Sequence, residues 1–303
     1  MISQILNLKV PSALRAETVR RTESAKSLYQ YKICDSFFSF IRNPFHITLP
    51  PVFRISLYLP AKLNMALLPW RTGTIIRIEN ETVNTKRFWV EVPELESFDF
   101  IPGQFITMDL PIDTKPNKRW RSYSIASWPA GTNVFELIIV LDRQGAGTHF
   151  IFENLDIGSA IKFRGPQGVF KLKEPLEKDI FLICTGTGIA PFRSMVHHIL
   201  NKQIPHKNLY LIFGCRTKAD LLYHEELELL QSELPSFKYI PTLSREDWSG
   251  QKGYVHAVYE TICAERKPAD FFICGWKGMI DEARTRILEM GYIASDIHTE
   301  IYG

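Results

Sequence analysis

The pattern of apolar residues changes near residue 175, and this change constrains the possible folds more than any other feature of the sequence. Between residues 70 and 170, six short β-type runs are separated by Gly, Pro, Asn and Asp turn signals, which predicts a small antiparallel barrel. From residue 179 onward, buried-strand runs such as DIFLIC (179–184) alternate with helical patterns at 191–200, 221–230 and 277–290. That alternation indicates a doubly wound parallel α/β sheet. We therefore expect two domains, a β-barrel at 69–174 and a parallel α/β domain at 175–303.

The composition excludes several classes of protein. Hydrophobic residues make up 45% and charged residues 23% of the 303-residue chain, which is typical of a globular protein and not of a disordered one. No apolar run reaches the roughly 18 residues that a membrane-spanning helix needs. The five cysteines are far apart and form no C-x-x-C pair, so we predict neither a metal site nor an iron–sulfur cluster. We also expect no nucleic-acid partner.

Residues 1–68 form a basic leader whose pattern is not that of a folded domain. The segment carries nine Lys and Arg residues against three acidic residues. Three interpretations are open: an extension upstream of a true initiator at Met65, which we favour, an organellar transit peptide, or a tail that binds anionic partners. We therefore expect a poorly structured or non-native leader and a cytoplasmic protein. A transit peptide would instead indicate a plastid or a mitochondrion.

The strongest local motif is TGTGIAP at 185–191, which follows one strand run and opens a helix. Glycines let the backbone approach a ligand closely, and the N-terminus of a helix presents free N–H groups to a phosphate. Proline suits the first helical turn. The motif predicts a pyrophosphate-binding turn, with an ordinary strand-to-helix turn as the alternative. The candidate binding residues are Thr185, Gly186, Thr187, Gly188, Ala190 and Pro191.

A second motif, RSYS at 121–124, falls on a predicted barrel strand. Side chains alternate along a strand, so Arg121 and Tyr123 share one face while Ser124 lies on the other, unless a strand end lets all three reach a ligand. A guanidinium, an aromatic ring and a hydroxyl together favour a ligand site. The alternative is a surface strand with a half-buried tyrosine.

Six motifs occur in order along residues 70–303: RSYS (121–124), GTGIAPFRS (186–194), LLY followed by two glutamates (221–226), SRE (244–246), CGWKGM (274–279) and EIY (300–302). Together they resemble the motifs of the ferredoxin–NADP reductase family, and the leader has no counterpart there. The resemblance implies a flavin-binding antiparallel β-barrel followed by a doubly wound parallel α/β domain that binds a pyridine nucleotide. The implied cofactors are FAD and NADP, with NAD possible.

The resemblance also implies how the barrel would hold the flavin. Arg121 would pair with the FAD diphosphate, Tyr123 would pack on the flavin, and Ser124 would donate to N5, the atom that accepts the hydride. The GAGT turn at 145–148 resembles the family's second phosphate turn, although an ordinary loop is an alternative. It adds Gly145, Gly147 and Thr148 to the cofactor-binding residues.

Four residues are implied to be catalytic: Ser124, Cys274, Glu300 and Tyr302. By resemblance, Cys274 orients the nicotinamide, Glu300 supports the proton supply, and Tyr302 stacks on the flavin and yields to the nicotinamide. Gly303 departs from the family pattern because it follows the tyrosine, so transfer rates do not carry over. The CGWKGM motif further adds Gly275, Lys277 and Met279 to the predicted nucleotide-binding residues.

Three residues near the third strand run of the second domain bear on the choice of nucleotide. Ser244 and Arg245 follow the run at 238–242, and Arg216 follows the run at 209–213. A 2′-phosphate needs charge-assisted donors, so these residues favour NADPH over NADH. A solvated arginine in a loop is the alternative.

Two other groups of residues receive ordinary interpretations. His197 and His198 lie on a predicted helix without carboxylates at metal spacing, and we expect them at the surface. Lys115, Lys118 and Arg119 precede the RSYS motif. They could help to dock an acidic electron-transfer protein, but charged loop residues are usually solvated.

The sequence thus predicts an FAD-dependent NAD(P)H oxidoreductase that exchanges electrons with a separate ferredoxin- or flavodoxin-like protein. A first alternative is the reductase component of an oxygenase or another multicomponent redox system. A second alternative, from a different class, is a non-catalytic sensor that binds flavin or nucleotide. We expect such a sensor to have lost Ser124, Cys274 or Glu300, and all three are present.

Overall fold

The computed structural model describes residues 68–302, so the predictions made for the basic leader lie outside the described residues. Two six-stranded sheets follow each other along the chain. The first is antiparallel and the second is parallel with helices between its strands, which confirms the predicted fold class.

The first sheet is a barrel. Its strands are β1 (Arg71–Thr82), β2 (Thr85–Glu91), β3 (Phe105–Asp109), β4 (Trp120–Ser124), β5 (Val134–Val140) and β6 (Ala160–Gln167), with a short helix α1 (Pro116–Arg119) before β4 and α2 (Ala146–Asn154) before β6. They pair in the order β4-β3-β6-β1-β2-β5. An antiparallel bridge between Ile125, just after β4, and Leu137 in β5 joins the two ends of this order and closes the barrel.

Aromatic side chains fill the barrel. Phe135 in β5 and Phe163 in β6 are fully buried, with ring centroids 5.3 Å apart. Phe98, in the connection between β2 and β3, lies 4.9 Å from Phe135. Because successive side chains of a strand point to opposite faces, each strand buries one set of apolar residues and leaves the other set outside. This core fixes the positions of β4 and β5, whose ends reach the second domain.

The second sheet is parallel throughout. Its strands are β7 (Asp179–Thr185), β8 (Leu209–Cys215), β9 (Phe237–Leu243), β10 (Gln251–Lys252), β11 (Ala269–Trp276) and β12 (Ile297–Tyr302), in the order β10-β9-β8-β7-β11-β12. The helices are α3 (Ala190–Lys202), α4 (His224–Glu233), α5 (Val255–Ile262) and α6 (Lys277–Glu289). The carboxyl ends of parallel strands meet at one edge, which is where ligands bind in sheets of this kind.

The structure differs from the sequence pattern at five elements. α4 begins at His224 and not at 221, because Tyr223 has a left-handed backbone (φ 52°) that follows a 3₁₀ turn at Lys218–Asp220. α1, β10, α5 and β12 were not predicted. β12 is an edge strand that pairs only with β11, so its sequence IHTEIY mixes polar and apolar residues and lacks the continuous apolar run of a central strand.

The barrel and the parallel sheet share one buried cluster. Ala126 and Ile138 of the barrel belong to the same apolar cluster as Phe192 and Met195 of α3. The cluster brings the ends of β4 and β5 against the start of α3. Among residues 68–302, no helix has both the length and the apolar character needed to cross a bilayer.

Candidate active site

A cleft of about 1560 Å³ lies between the barrel and the carboxyl edge of the parallel sheet. It is lined by residues of β4, β5, the turn before α2, and the ends of β7, β8, β9, β11 and β12. Most predicted site residues line it: Arg121, Tyr123, Ser124, Gly145, Gly147, Thr148, Thr185, Gly186, Thr187, Arg216, Ser244, Arg245, Gly275, Met279, Glu300 and Tyr302. Five do not: Gly188, Ala190, Pro191, Cys274 and Lys277.

At the barrel end of the cleft, the RSYS strand faces the GAGT turn. A Cβ on Gly147 would lie only 2.9 Å from Cγ of Arg121, so a glycine is needed where the turn passes the arginine. The Nη1 atom of Arg121 donates to the carbonyl oxygens of Lys118 (2.9 Å) and Trp120 (2.8 Å). These contacts hold the guanidinium in place beside the N-terminus of α2. The two motifs predicted to bind the flavin phosphates therefore form one basic cradle, here called the barrel end.

The hydroxyl of Thr148 shapes the turn of the barrel end. It accepts a hydrogen bond from the backbone N–H of Asp142 (3.1 Å) and donates to the carbonyl of Gly145 (3.0 Å). Both partners belong to the loop that enters α2. Thr148 thus fixes the backbone of the turn rather than offering an uncommitted hydroxyl to a ligand.

At the centre of the cleft, the two domains meet through one hydrogen bond. The hydroxyl of Ser124 donates to Oε2 of Glu300 at 2.9 Å, across 176 residues of sequence. Burial raises the pKa of the Glu300 carboxyl to about 7, although the hydrogen bond from Ser124 lowers it. A carboxyl that titrates near neutral pH can take up or release a proton at physiological pH.

Cys274 lies directly behind this carboxyl. In the parallel register it pairs with Glu300 of β12 on one side and with Cys184 of β7 on the other. Cys274 is fully buried. Burial raises the pKa of its thiol well above the usual value, and the neighbouring Glu300 acts in the same direction. The neutral thiol is unsuited to covalent attack. It forms part of the wall behind the cleft.

The TGTGIAP turn has two parts with different surroundings. Thr185, Gly186 and Thr187 line the cleft. A Cβ on Gly188 would lie 2.5 Å from the carbonyl oxygen of Cys274, so this glycine lets the turn pack against β11. Ala190 and Pro191 are buried at the start of α3. The second half of the motif therefore supports the cleft from behind and does not line it.

Two buried polar atoms on cleft-lining residues have no hydrogen-bond partner within residues 68–302: Oγ1 of Thr185 and the hydroxyl of Tyr302. Burial raises the pKa of the Tyr302 hydroxyl well above its usual value, so it remains protonated. A Cβ on Gly275 would lie 2.5 Å from the Thr185 oxygen. Buried polar atoms are nearly always satisfied, and these two atoms indicate that a polar ligand completes the site.

The opposite end of the cleft, here called the sheet end, carries two arginines. The backbone N–H of Arg245 donates to the carbonyl of Arg216 at 2.9 Å, which holds the two residues side by side. Both side chains are exposed, and neither guanidinium pairs with another side chain in the described part of the chain. The hydroxyl of Ser244 donates to the carbonyl of Cys215 at 3.2 Å. The arginines, and not the serine, are therefore the uncommitted donors.

Lys277 was predicted to bind nucleotide, but its ammonium group contacts Asp281 one turn further along α6, and the side chain is exposed outside the cleft. Met279 does line the cleft: its Cε lies 3.2 Å from where a Cβ on Gly275 would be. The helical geometry separates the two, because residues two positions apart face different sides of a helix.

Sequence reasoning missed several residues that line the cleft, including Arg143, Tyr254 and Trp276. Tyr254 and Trp276 are large and exposed by 72% and 65%. Trp276 belongs to the CGWKGM motif, and Arg143 lies two residues before the GAGT turn, so the positions of these two residues in or near the motifs were the available signal. Exposed aromatic side chains at a cleft are typical of ligand or partner contacts.

The expectation that His197 lies at the surface was wrong. Its ring is buried, stacks on Trp128 with centroids 3.9 Å apart, and contacts Glu226 through Nε2 at 2.5 Å. His198 is half-buried. Tyr223 of the LLY motif is buried outside the cleft, and its hydroxyl donates to Glu136 at 2.8 Å. His197 and Tyr223 belong to the contact between the domains.

Comparisons with known proteins identify the family of each domain. Residues 72–172 match the family model of the oxidoreductase FAD-binding domain, and residues 182–285 match that of the oxidoreductase NAD-binding domain. The chain is 33% identical to ferredoxin–NADP reductase B of Sorangium cellulosum over 216 residues, which cover 68% of this chain and 87% of that protein. It is 29% identical to the anthranilate 1,2-dioxygenase electron transfer component of Acinetobacter baylyi, covering 68% of this chain and only 59% of that protein.

Among solved structures, the fold is similar to that of a ferredoxin NADP⁺ reductase from Neisseria gonorrhoeae with bound FAD and NADP. The TM-score is 0.66 at 24% identity, over 77% of this chain and 98% of the other. The fold and the cleft define a two-domain oxidoreductase that binds FAD and a pyridine nucleotide. Within that class, the chain belongs to the ferredoxin–NADP reductase family.

Proposed function

We propose that the protein oxidises NADPH and passes the electrons, by way of bound FAD, to a separate one-electron carrier of the ferredoxin or flavodoxin class. The observation that carries this proposal is the hydrogen bond from Ser124 to Glu300. It places a hydroxyl of the barrel and a titratable carboxyl of the parallel sheet at the point where the barrel end and the sheet end meet. Hydride transfer requires two ligands to be held in contact at such a point.

The barrel end fits the diphosphate of FAD. Arg121 offers a planar fork of donors, Gly147 leaves space beside it, and the N-terminus of the nine-residue helix α2 supplies free N–H groups. Tyr123 lines the same stretch of the cleft with its ring. When bound, FAD supplies the chemistry that accepts a hydride and releases electrons singly.

The residues at the centre of the cleft orient ligands and handle a proton. Glu300 holds the Ser124 hydroxyl in one direction and exchanges a proton near neutral pH. Cys274 keeps the wall behind them apolar and uncharged. Tyr302 covers the centre, and its hydroxyl has no hydrogen-bond partner within the described range.

The sheet end supports the preference for NADPH. Arg216 and Arg245 are adjacent and have no acidic partner in the part of the chain that the structure describes. The 2′-phosphate of NADPH could pair with both guanidinium groups there. The ribose hydroxyl of NADH carries no charge and would leave both guanidinium groups without an anionic partner.

A second candidate is the reductase component of an oxygenase, since several relatives carry such names. The chain spans 59% of the length of the anthranilate 1,2-dioxygenase component and 64% of a phenol hydroxylase P5 protein from Acinetobacter pittii. It spans 87% of ferredoxin–NADP reductase B. Reduction of a purified ferredoxin and of an oxygenase component, measured side by side, distinguishes the two.

Anaerobic stopped-flow spectroscopy tests the proposal. Mixing the flavin-loaded protein with NADPH should bleach the flavin absorbance much faster than mixing with NADH. Cys274→Ala and Glu300→Gln should slow the bleaching while the flavin remains bound. A protein that binds flavin but is bleached by neither nucleotide would support the non-catalytic sensor instead. Loss of flavin from both variants would show that these residues have only a structural role.

Two further sequence predictions belong to this proposal. The domain boundary near residue 175 is supported by the family models, which end at 172 and begin again at 182. The cytoplasmic location, with a plastid or mitochondrion as the alternative, depends on the leader. Imaging of the full chain and of a chain that starts at Met65, each fused to a fluorescent protein, compares these locations directly.

A further inference from the structure

A pair of opposite charges is buried where the two domains meet. Glu136 in β5 is 2% exposed and Arg193 in α3 is 4% exposed. Nη1 of Arg193 donates to Oε2 of Glu136 at 3.0 Å and to the carbonyl oxygen of Ala126 at 2.9 Å. Both acceptors belong to the barrel and the donor belongs to the parallel-sheet domain. Desolvating two charges costs more than packing two apolar side chains of similar size, so stability alone is a weak reason for such a pair.

Both Arg193 and Glu136 make further hydrogen bonds. The fork of Arg193 is bidentate to Glu226 of α4, at 2.6 Å from Nε and 2.9 Å from Nη2. Glu136 also accepts from Nε of Arg87 at 2.6 Å and from the hydroxyl of Tyr223 at 2.8 Å. The guanidinium of Arg193 lies 4.4 Å from the centre of the Tyr223 ring. One arginine therefore ties α3 and α4 to the barrel in a fixed orientation.

Arg193 and its acceptor Ala126 are each connected to the centre of the cleft by a short stretch of backbone. Ala126, whose carbonyl accepts from Arg193, lies two residues after Ser124. Arg193 lies five residues after Gly188, which packs against the carbonyl of Cys274. The arginine thus links the backbone that carries Ser124 to the helix that supports Cys274. None of the residues that Arg193 contacts lines the cleft.

We propose that Arg193 is a positioning residue for hydride transfer, an inference that rests on the proposed function. By fixing the barrel against the parallel sheet, it sets the distance between the ligand held at the barrel end and the ligand held at the sheet end. Reacting atoms must come within about 3 to 3.5 Å, and a displacement of about 1 Å can cost about 100-fold in rate. A residue with this role controls the rate of the transfer step and leaves the affinity for either ligand nearly unchanged.

The test compares Arg193→Met and Arg193→Lys with a control, Lys178→Met, in the flavin-loaded full chain. The methionine variant removes the tie but leaves no buried carboxylate alone: Glu136 keeps Arg87 and Tyr223, and Glu226 keeps His197. Lysine restores the charge without the planar fork. Lys178 also contacts two carboxylates, Asp270 and Asp296, at 3.0 and 2.8 Å, but all three lie within the parallel-sheet domain.

Two readouts are expected to move together. In stopped-flow reduction, the limiting rate at saturating NADPH should fall about 10- to 100-fold in Arg193→Met and by less in Arg193→Lys, while the dissociation constant of NADPH changes less than about twofold. Hydrogen–deuterium exchange should become faster in the peptides that contain residues 124–128 and 190–196. Lys178→Met should leave the limiting rate and both peptides unchanged.

The possible contrary results separate this inference from the proposed function. Unchanged limiting rates in both Arg193 variants, a loss confined to the NADPH dissociation constant, or an equal loss in Lys178→Met would each overturn the positioning role. If Arg193→Met fails to hold flavin, Arg193→Lys is judged by the same criteria. If the unmodified protein is reduced by neither nucleotide, the proposed function itself fails, and the positioning role fails with it.

Discussion

The two ends of the cleft hold their arginines in different ways. At the barrel end, Arg121 is fixed by two carbonyl oxygens and packs against Gly147, and the hydroxyl of Thr148 fixes the adjacent turn. At the sheet end, Arg216 and Arg245 are joined only through their backbones and extend exposed side chains. The barrel end is therefore organised before a ligand arrives, whereas the sheet end is organised by the ligand.

This difference matches two kinds of ligand. A pre-organised site loses little conformational entropy on binding and can hold a cofactor tightly through many turnovers. A site that must order two long side chains for each ligand binds more weakly and releases more readily. The proposed FAD would stay bound at the barrel end while the nucleotide exchanges at the sheet end. The four predictions that follow test this contrast, beginning with the largest expected effect.

Arg121→Met should remove most of the FAD affinity of the barrel end. Two charge-assisted hydrogen bonds to a diphosphate are worth about 2 kcal/mol each, so FAD should bind about 1000-fold more weakly. Equilibrium dialysis or flavin fluorescence measures the change. Arg119→Met serves as the control, since Arg119 contacts Asp109 at 2.8 Å instead of lining the cleft. Equal losses in the two variants would contradict the assignment of the cradle.

Glu300→Gln should make the free energy of unfolding less dependent on pH. Glu300 lies at the centre of the cleft, where the barrel end and the sheet end meet. The Glu300 pKa is about 7 when folded, against an ordinary 4.5, so the folded state keeps its proton while the unfolded chain releases it. Its contribution to stability is complete below about pH 4.5 and is lost as the pH rises through 7, a change of about 3 kcal/mol.

Chemical denaturation at a fixed excess of FAD, from pH 4.5 to 8, measures this contribution as the difference between the protein and its Glu300→Gln variant. A ligand in the cleft would exclude more water from the carboxyl, so it leaves the sign unchanged. The free energy of unfolding should fall with pH more steeply in the unmodified protein. Parallel curves for the two proteins would show that the pKa of Glu300 is not raised.

Arg245→Met should weaken the preference for NADPH at the sheet end without affecting the barrel end. Losing one of two cationic forks should lower the ratio of kcat/KM for NADPH to that for NADH about tenfold, or about 1.4 kcal/mol, and leave FAD affinity unchanged. Steady-state kinetics with both nucleotides gives the ratio. Lys238→Met, at an exposed position in β9 outside the cleft, is the control. If the ratio is the same in both variants, Arg245 does not read the 2′-phosphate.

Thr148→Val should have the smallest effect. It removes a hydroxyl that orders the turn, at a cost of about 1 kcal/mol, so FAD affinity should fall about fivefold. Thr148→Ser, which keeps the hydroxyl, should restore the affinity. Titration with FAD measures both. A loss as large as that of Arg121→Met would mean that Thr148 contacts the ligand directly and is not limited to shaping the turn.

The sequence predicted the order of the two sheets, and most of the site residues that it singled out line the cleft, because both depend on local patterns. Glycine-rich turns, apolar strand runs and short motifs are read within a few residues of one another. It failed where a role depends on a distant partner. His197 was placed at the surface because nothing near it in the sequence indicates Trp128 or Glu226. Likewise, a glutamate in a β-strand gives no sign that Arg193 will reach it from another domain.

The same limit applies to motifs that divide into parts. Gly188 and Thr187 are neighbours in one turn, yet one packs against β11 and the other lines the cleft. Lys277 and Met279 separate in the same way on α6. Motif reasoning identifies the segment, but only the surrounding strands decide which side chains face the ligand.

The hydrogen bond between Ser124 and Glu300 has a consequence for how the protein acquires activity as it folds. The two residues are 176 positions apart, so the barrel and the last strand of the parallel sheet must both be in place before they can meet. Contacts at such sequence separation form late, because closing a long loop costs entropy before any contact repays it. The cradle forms between Arg121 and Gly147, which are only 26 positions apart. During refolding, capacity to hold flavin would therefore return before capacity to be reduced.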